Sequence, residues 1–351
     1  MEKEKWGTVV IGAAQAGLST GYYLREINED FLIIDEGTRI GDSWRRRWDS
    51  LMLFTPAEHD GLPGFPFPAT RGACPTKEEM AHYLDRYAQK FSLPVQLNTK
   101  VIELSQTEDG FRILTTNGQL QADKVIVCTG TNPVPYIPDF AKELDKDIIQ
   151  IHSSGYKNPQ SFSASNTLVV GAGTSGVEIA IELSASRPTM ISGRPTPHIP
   201  DFLTRYAGNF YWWAVHNVLT ISTPIGRKVR QKIIKGGGPL IRVSFDDVKA
   251  AGVEHLPRVS GVKGGLPQLA DDRVISVSSI VWATGFRPDF SWIRMNVTDE
   301  TGWPKTSRGI SGNIRGLYFV GMLFQYGLTS GLVGGVGRDA AFVVNHLGNR
   351  K

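Results

Sequence analysis

Short unbroken apolar runs, each closed by glycine and followed by an apolar stripe at helical spacing, occur twice along the chain. The first lies in "VVIGAAQAGLSTGYYL" (9–24) and the second in "NTLVVGAGTSGVEIAIEL" (166–183). A run of that length bounded by glycine reads as a buried parallel strand, and the stripe after it as a helix laid on the sheet. The pattern predicts strand–helix–strand over about 6–36, then a non-periodic stretch to about 75. Thr76 and Glu79 in "TKEEMAHYLDRYAQKF" stand in capping-box spacing at the head of a helix over 76–91. Alternating strands follow over about 95–116, then a buried strand in "ADKVIVCTGTNPVP" (122–135) that ends at Gly130. "VISVSSIVWATGFRPDF" (274–290) matches that segment, and the paired endings C-T-G-x-x-P and A-T-G-x-x-P each close a unit. "GLYFVGMLFQYGLTSGLVGGVGRDAAFVV" (316–344) gives a last strand, a glycine-rich turn and an apolar helix. The 200–245 stretch carries Phe210, Tyr211, Trp212 and Trp213 with basic residues but no clear period. It reads as core packing, with a substrate entrance as the other option.

The two glycine segments carry chemistry. Gly171, Gly173 and Gly176 have G-x-G-x-x-G spacing after a strand and before a helix. In that motif the first glycine makes the turn, the second lets backbone approach a pyrophosphate, and the third packs helix on strand. The helix N-terminus, here Thr174 and Ser175, offers free N–H groups to phosphate. The first copy has Gly12 and Gly17 but Ala14 in the middle, with Gln15 and Ala16 opening the helix. Ala14 predicts weaker cofactor retention, relieved by Ala14→Gly.

Each copy also has a polar residue eighteen positions past its last glycine, Asp35 after Gly17 and Arg194 after Gly176. Asp35, with Glu36 beside it, suits both hydroxyls of the adenosine ribose of FAD or NAD. Arg194, with Ser192, suits the 2′-phosphate of NADP, with NAD(H) use left open. Thr129–Gly130 and Thr284–Gly285 close the two clefts. The expected class is α/β, with two Rossmann-like dinucleotide-binding domains. The NAD(P) domain (160–283) is inserted in a discontinuous FAD domain (1–159 and 284–351). Two nested sites imply hydride passing from a nicotinamide to a flavin.

Composition narrows the partners. The 351 residues carry a formal charge of +4, spread along the chain, which disfavours a nucleic-acid footprint. Arg45-Arg46-Arg47 is flanked by Trp44 and Trp48 and does not read as a basic tail. Cys74 and Cys128 are the two cysteines, in neither redox nor metal-ligand spacing, so no metal is expected and a reducing compartment is. No apolar run reaches the ~18 residues of a membrane span, and the charged N-terminus is unlike a signal peptide. A cytoplasmic protein acting on a small molecule is expected, and a homodimer is left open.

These residues together resemble the flavin-containing monooxygenase family over nearly the whole chain. The likeness is strongest to short bacterial members, some of them accessory oxidoreductases of cation-efflux loci, and to plant auxin-forming indole-pyruvate monooxygenases. Its most specific segment is "IGDSWRRRWDSLMLFTPAEHDGLPGFPFP" (40–68). The resemblance implies that Gly41, Trp44 and Trp48 pack beside FAD and that Val101 offers backbone to the adenine. It implies further that Gly321 and Met322, through Gln325 to Thr329, approach the ribityl chain and isoalloxazine. Three departures stand out. Of the pattern F-x-G-x-x-x-H-x-x-x-Y/F only His152 and Tyr156 remain, with Lys146 and Ile148 at the Phe and Gly positions. His152 alone reads as structural, bonding a linker backbone. The asparagine that many members place near the flavin is missing from 51–58, leaving Thr55 and Gln325 as candidate polar groups. The third departure is Ala14.

The resemblance implies an FAD-dependent, NAD(P)H-using monooxygenase. Reduced flavin and O₂ would form a C4a-hydroperoxide that oxygenates a soft nucleophile, a ketone or a 2-oxo acid. The same cofactor sites also fit a reductase or oxidase passing electrons to a quinone, a ferredoxin or O₂, and an accessory flavoprotein. A disulfide reductase is disfavoured, because no cysteine pair exists to relay electrons.

Overall fold

The structure, a computed structural model, describes residues 5–131, 133–161, 165–200, 202–203 and 208–348. Strand β1 (Lys5–Ile11) runs into helix α1 (Gln15–Glu26) and returns as β2 (Phe31–Ile34). Helices α2 (Asp42–Arg45) and α3 (Lys77–Lys90) follow, then β3 (Val95–Gln96), β4 (Val101–Thr107), β5 (Gly110–Thr115) and β6 (Gly118–Val127). The chain leaves this unit through β7 (Val134–Pro135).

The second unit contains β8 (Ile149–His152), β9 (Thr167–Val170), α4 (Thr174–Ser184) and β10 (Thr189–Ser192). Helices α5 (Gly208–Asn217), α6 (Pro224–Gly236) and α7 (Phe245–Ala250) come next. The unit closes with β11 (Glu254–Leu256), the hairpin β12 (Val259–Lys263) and β13 (Leu266–Leu269), and β14 (Ser279–Trp282). The return passes through β15 (Phe286–Arg287), β16 (Thr306–Ser307), β17 (Ile310–Ser311) and β18 (Leu317–Phe319) to helix α8 (Val336–Gly348).

The first sheet is built on parallel strands in the order β3-β2-β1-β6-β18, with β17 and β16 antiparallel at one edge and β5–β4 attached to β6. The second is a five-stranded parallel sheet, β11-β10-β9-β14-β8. Both follow from the unbroken apolar runs, since a parallel strand is covered on both faces. All residues of β2, β9 and β14 except their threonine and serine starts are apolar and buried. In register, Val10 pairs with Ile33 and Ile126, and Val169 with Ile191 and Val281.

Alternation splits the first sheet into two cores. Val10, Ile33 and Ile126 point to the side covered by α1, α3 and α8, and that cluster continues into the second unit through Val169, Val177, Ile179 and Val281. Val9, Ile34, Val127 and Phe319 point the other way, against Phe111 and Ile113 of β5 and against Phe290, Ile293 and Val297. Helix α3 starts where the sequence places it. Thr76 accepts from the Glu79 N–H, and the Glu79 carboxylate accepts from the Thr76 N–H at 2.8 Å.

The second sheet takes its edge strand from Ile149–His152, upstream of the boundary expected at 160. The two passes of chain meet as an antiparallel pair, β7 on β15. The Tyr136 N–H donates to the Gly285 carbonyl at 2.9 Å, and the Arg287 guanidinium lies 4.0 Å from the centre of the Tyr136 ring. His152 Nδ1 accepts from the Ser154 N–H, so Nε2 carries the proton that it donates to the Gly285 carbonyl at 3.0 Å. Of the 200–245 stretch, residues 201 and 204–207 lie outside the described residues; the remainder forms α5, α6 and loops.

Candidate functional site

The two fingerprints fold alike. Gly12 and Gly171 have φ of +107° and +116°, a region that side chains disfavour. A Cβ on Gly17 would stand 1.8 Å from the Gly12 carbonyl oxygen, and one on Gly176 the same distance from that of Gly171. The middle position differs. Ala14 has φ −84°, ψ −168° and Gly173 has φ −83°, ψ −177°. Both are extended conformations open to any residue, and a Cβ on Gly173 meets nothing within 4 Å. The backbone at position 14 therefore does not require glycine, and the expectation of weaker retention rests on the approach of the Ala14 methyl to the pyrophosphate alone.

Both helices begin without a cap. Ala14 and Gly173 are the N-cap residues, neither makes a side-chain cap bond, and neither helix has an acidic residue in its first turn. Helices α3 and α7 have full capping boxes and acidic first turns. An N-terminus with no capping side chain and no acidic residue in its own first turn presents its N–H groups and dipole to an anion; at α1 the Asp35 carboxylate bonds the Ala13 N–H, just ahead of the N-cap. The Thr174 and Ser175 hydroxyls have no partner among the described residues, which adds donors at the second site.

A cavity of about 710 Å³ runs from α1 across the edge of the first sheet. Gly12, Ala14, Gln15 and Ala16 line it with Asp35, Glu36, Trp44, Val101, Thr129, Gly130 and Gly321. Asp35 is fixed by two N–H bonds, from Ala13 and Gly37, each 2.7 Å, and its remaining lone pairs serve the cavity it lines. Arg47 also lines the space. Its guanidinium meets no carboxylate among the described residues, and burial lowers its pKa. An unpaired cation lining the same cavity as an uncapped helix N-terminus fits a pyrophosphate, and a space of this volume suits a flavin dinucleotide. Arg45 and Arg46 differ, pairing with Asp42 and with Glu36 at 3.5 and 3.8 Å.

Several expected contacts are placed elsewhere. Trp48 is buried in the core and does not line the cavity. Gly41 instead allows α3 to approach, since a Cβ there would stand 2.7 Å from the Ala81 carbonyl oxygen. Met322 packs into the second core. Gln325 is committed to the fold, donating to the Phe319 and Arg308 carbonyls and accepting from the Met322 N–H at 3.2 Å. Ser192 is buried, its hydroxyl donating to the Pro257 carbonyl and accepting from the Val259 N–H. Arg194 is therefore the exposed donor of that pair, and no residue in the described chain partners its guanidinium. Thr284 donates to the Tyr136 carbonyl, so Thr284 and Gly285 belong to the linker.

Thr55 and Thr329 line a second cavity, of about 660 Å³. Ser330 and Gly331 face the first cavity while Thr329 and Leu332 face the second, so one short segment walls both. Helix α5 of the inserted unit contributes Trp212 and His216, and the loop of the first unit contributes Glu58 and His59. The Thr55 hydroxyl donates to Asp60 at 2.5 Å. Sequence reasoning missed His59, His216 and Arg47. The only signal for Arg47 was its place between two tryptophans, and nothing local marked the histidines.

Two dinucleotide clefts, one nested in the chain of the other, define a flavin- and nicotinamide-using oxidoreductase. The model of the pyridine nucleotide-disulphide oxidoreductase family matches residues 9–194. An uncharacterized CzcO-like oxidoreductase of Geobacillus kaustophilus is 41% identical over 97% of this chain and 98% of its own. The solved flavin-containing monooxygenase from Stenotrophomonas maltophilia superposes with a TM-score of 0.82 at 27% identity, covering 99% of both chains. A probable indole-3-pyruvate monooxygenase of Arabidopsis thaliana, YUCCA8, is 26% identical over 98% of this chain and 89% of its own.

The chain belongs to the pyridine nucleotide-disulphide oxidoreductase family and, within it, to the flavin-containing monooxygenases. Its own cysteines form no relay. Both are free, and burial pushes the Cys128 thiol up to about 12 and raises that of Cys74. Among the described residues no helix is long and apolar enough to cross a membrane.

Proposed function

We propose that the protein binds FAD in the first cavity and NADPH at the Gly171–Gly176 turn, and uses both to insert one oxygen atom of O₂ into a small organic substrate. The observation that carries this reading is the pair of helix N-termini with no capping side chain and no acidic first turn, one of them lining a cavity of about 710 Å³ together with the unpaired Arg47. Reduced flavin supplies the oxygen-activating chemistry when bound. The chain's own residues bind, orient and exclude water. The α1 N-terminus and Arg47 hold the pyrophosphate, Asp35 holds the ribose, and Arg194 takes the 2′-phosphate. The wall at Thr329–Leu332 separates the flavin cavity from a second chamber of a size for substrate.

The test is rapid mixing of the NADPH-reduced, FAD-loaded protein with oxygenated buffer, followed by absorbance and by product analysis. A transient species distinct from oxidised and reduced flavin, with oxygenated product matching NADPH consumed, is expected. Quantitative peroxide release without product would favour a second reading, an NAD(P)H oxidase. One observation favours that reading: Thr55 and Gln325 are both held by the protein and leave no free polar side chain among the expected candidates.

A further inference from the structure

The charges and hydrogen-bonding groups around the second cavity say what it can hold. Its apolar wall is Leu62, Phe65 and Trp212, with the His59 ring centre 5.5 Å from that of Trp212. Among the described residues neither lysine nor arginine lines it, and the one lining carboxylate is Glu58. Burial opposes its ionisation, but the Gly72 N–H at 2.8 Å and Arg71 at 3.5 Å hold it below the ordinary range, so it is charged. Arg71 is occupied by that pairing, and Arg338 stands behind His216, donating to its carbonyl at 2.7 Å.

The two imidazoles stay neutral near pH 7. Burial lowers His59 against the pull of Glu58, and burial, then Arg338 and His59, lower His216. Their nitrogens are oriented differently. Thr329 Oγ1 receives Arg338 at 3.5 Å and lies 3.0 Å from His216 Nδ1. The Thr329 hydroxyl can donate to that nitrogen or accept from it, and in either case His216 Nε2 is the ring nitrogen left over. Neither that Nε2 nor the His59 ring nitrogens have a partner among the described residues. The chamber thus offers neutral hydrogen-bonding groups, an aromatic wall and one negative charge.

We propose that this second cavity is the substrate chamber, and that His59 and His216 make it selective for an uncharged carbonyl compound with an apolar body and against a carboxylate. The proposal rests on the oxygenase reading above and chooses between the ketone and the 2-oxo acid that the sequence leaves open. A carboxylate there would meet Glu58 with no lining cation among the described residues to neutralise it.

Phenylacetone and phenylpyruvate differ by the exchange of methyl for carboxylate, and calorimetric titration into the oxidised, FAD-loaded protein without NAD(P)H compares them directly. Phenylacetone is expected to bind at least tenfold more tightly. His59→Lys should raise phenylpyruvate affinity at least tenfold and leave phenylacetone no tighter. His216→Gln should weaken phenylacetone about fivefold with flavin content unchanged. If His59→Lys does not hold flavin, Glu58→Gln, which keeps the acceptor for Gly72, must narrow the gap between the two probes. Equal or tighter binding of phenylpyruvate by the parent overturns the proposal. So does binding of neither probe, or an unchanged ratio in the variant used. No turnover enters this assay, so its failure is distinct from a failure to form oxygenated product.

Discussion

Asp60 is a carboxyl that the fold holds protonated up to the neutral range, and its replacement gives a pH-dependent stability with a definite sign. It follows the short turn Ala57–His59 and is fully buried. One oxygen accepts from Thr55 at 2.5 Å, and the other is buried without a hydrogen-bond partner. Burial raises its pKa to about 7, with the Thr55 bond opposing and Glu58 adding to the rise. An unfolded Asp titrates near ~3.9. Between those values the folded state binds one proton more than the unfolded state, so stability falls as pH rises, by about 1.4 kcal/mol per unit. The fall is complete above the folded pKa and amounts to roughly 4 kcal/mol over three units. Asp60→Asn keeps an acceptor for Thr55 and removes the ionisation. At an unfolding entropy of about 2.1 cal/mol/K per residue, the variant should melt roughly 5 °C above the parent at pH 8.5 if the chain unfolds as one. The gap should shrink steadily as the pH falls to 5. Scanning calorimetry across that range measures it. A gap that does not change with pH, or one that widens on acidification, refutes the protonated-Asp60 account.

Ala14→Gly should slow FAD dissociation by no more than about threefold, because only the approach of one methyl to the pyrophosphate is relieved and the extended backbone at position 14 carries no strain. It should lower stability by about 0.4–1 kcal/mol through the more flexible unfolded chain; a tenfold slower loss of flavin in a fluorescence assay counts against this. Gly176→Ala brings a Cβ to 1.8 Å from the Gly171 carbonyl oxygen, so the turn must open. NADPH affinity should fall at least tenfold with FAD content intact, and flavin loss in parallel would show that the two sites are not separate. Arg194→Ala should raise KM for NADPH by the equivalent of about 1.5–3 kcal/mol while leaving that for NADH unchanged. Equal effects on the two nucleotides in steady-state assays would remove the 2′-phosphate assignment.

What the sequence made legible was whatever is encoded within about thirty residues. Each fingerprint is a contiguous strand, turn and helix, so Gly12, Gly17, Gly171 and Gly176 could be assigned from spacing alone. The capping box at Thr76 was readable for the same reason, and the nested order of the units from the repetition of the C-T-G-x-x-P ending as A-T-G-x-x-P far along the chain. Side-chain direction was not. Ser192 and Gln325 sit at expected chain positions, yet their polar atoms are bound inside the protein. Trp44 and Trp48 look equivalent in the chain, but one lines the cavity and the other fills the core. The second cavity was hidden because contact distance there has little to do with chain distance. His216 and Thr329 touch across 113 residues, and no local pattern predicts that meeting.

The β7–β15 pair means that the inserted unit is attached to the first by two adjacent strands, not by one thread. A single thread would let the nicotinamide unit swivel about any axis. Two strands bonded side by side, clasped by Tyr136 on Gly285 and by Arg287 on the Tyr136 ring, resist twist and splay and yield most easily to bending across the ribbon. The far side of the unit is held as well, where the Ile221 N–H donates to the Tyr326 carbonyl at 2.8 Å and the Leu328 N–H to the Leu219 carbonyl at 2.9 Å. Ribbon and far side together fix the face that α5 presents to the second cavity.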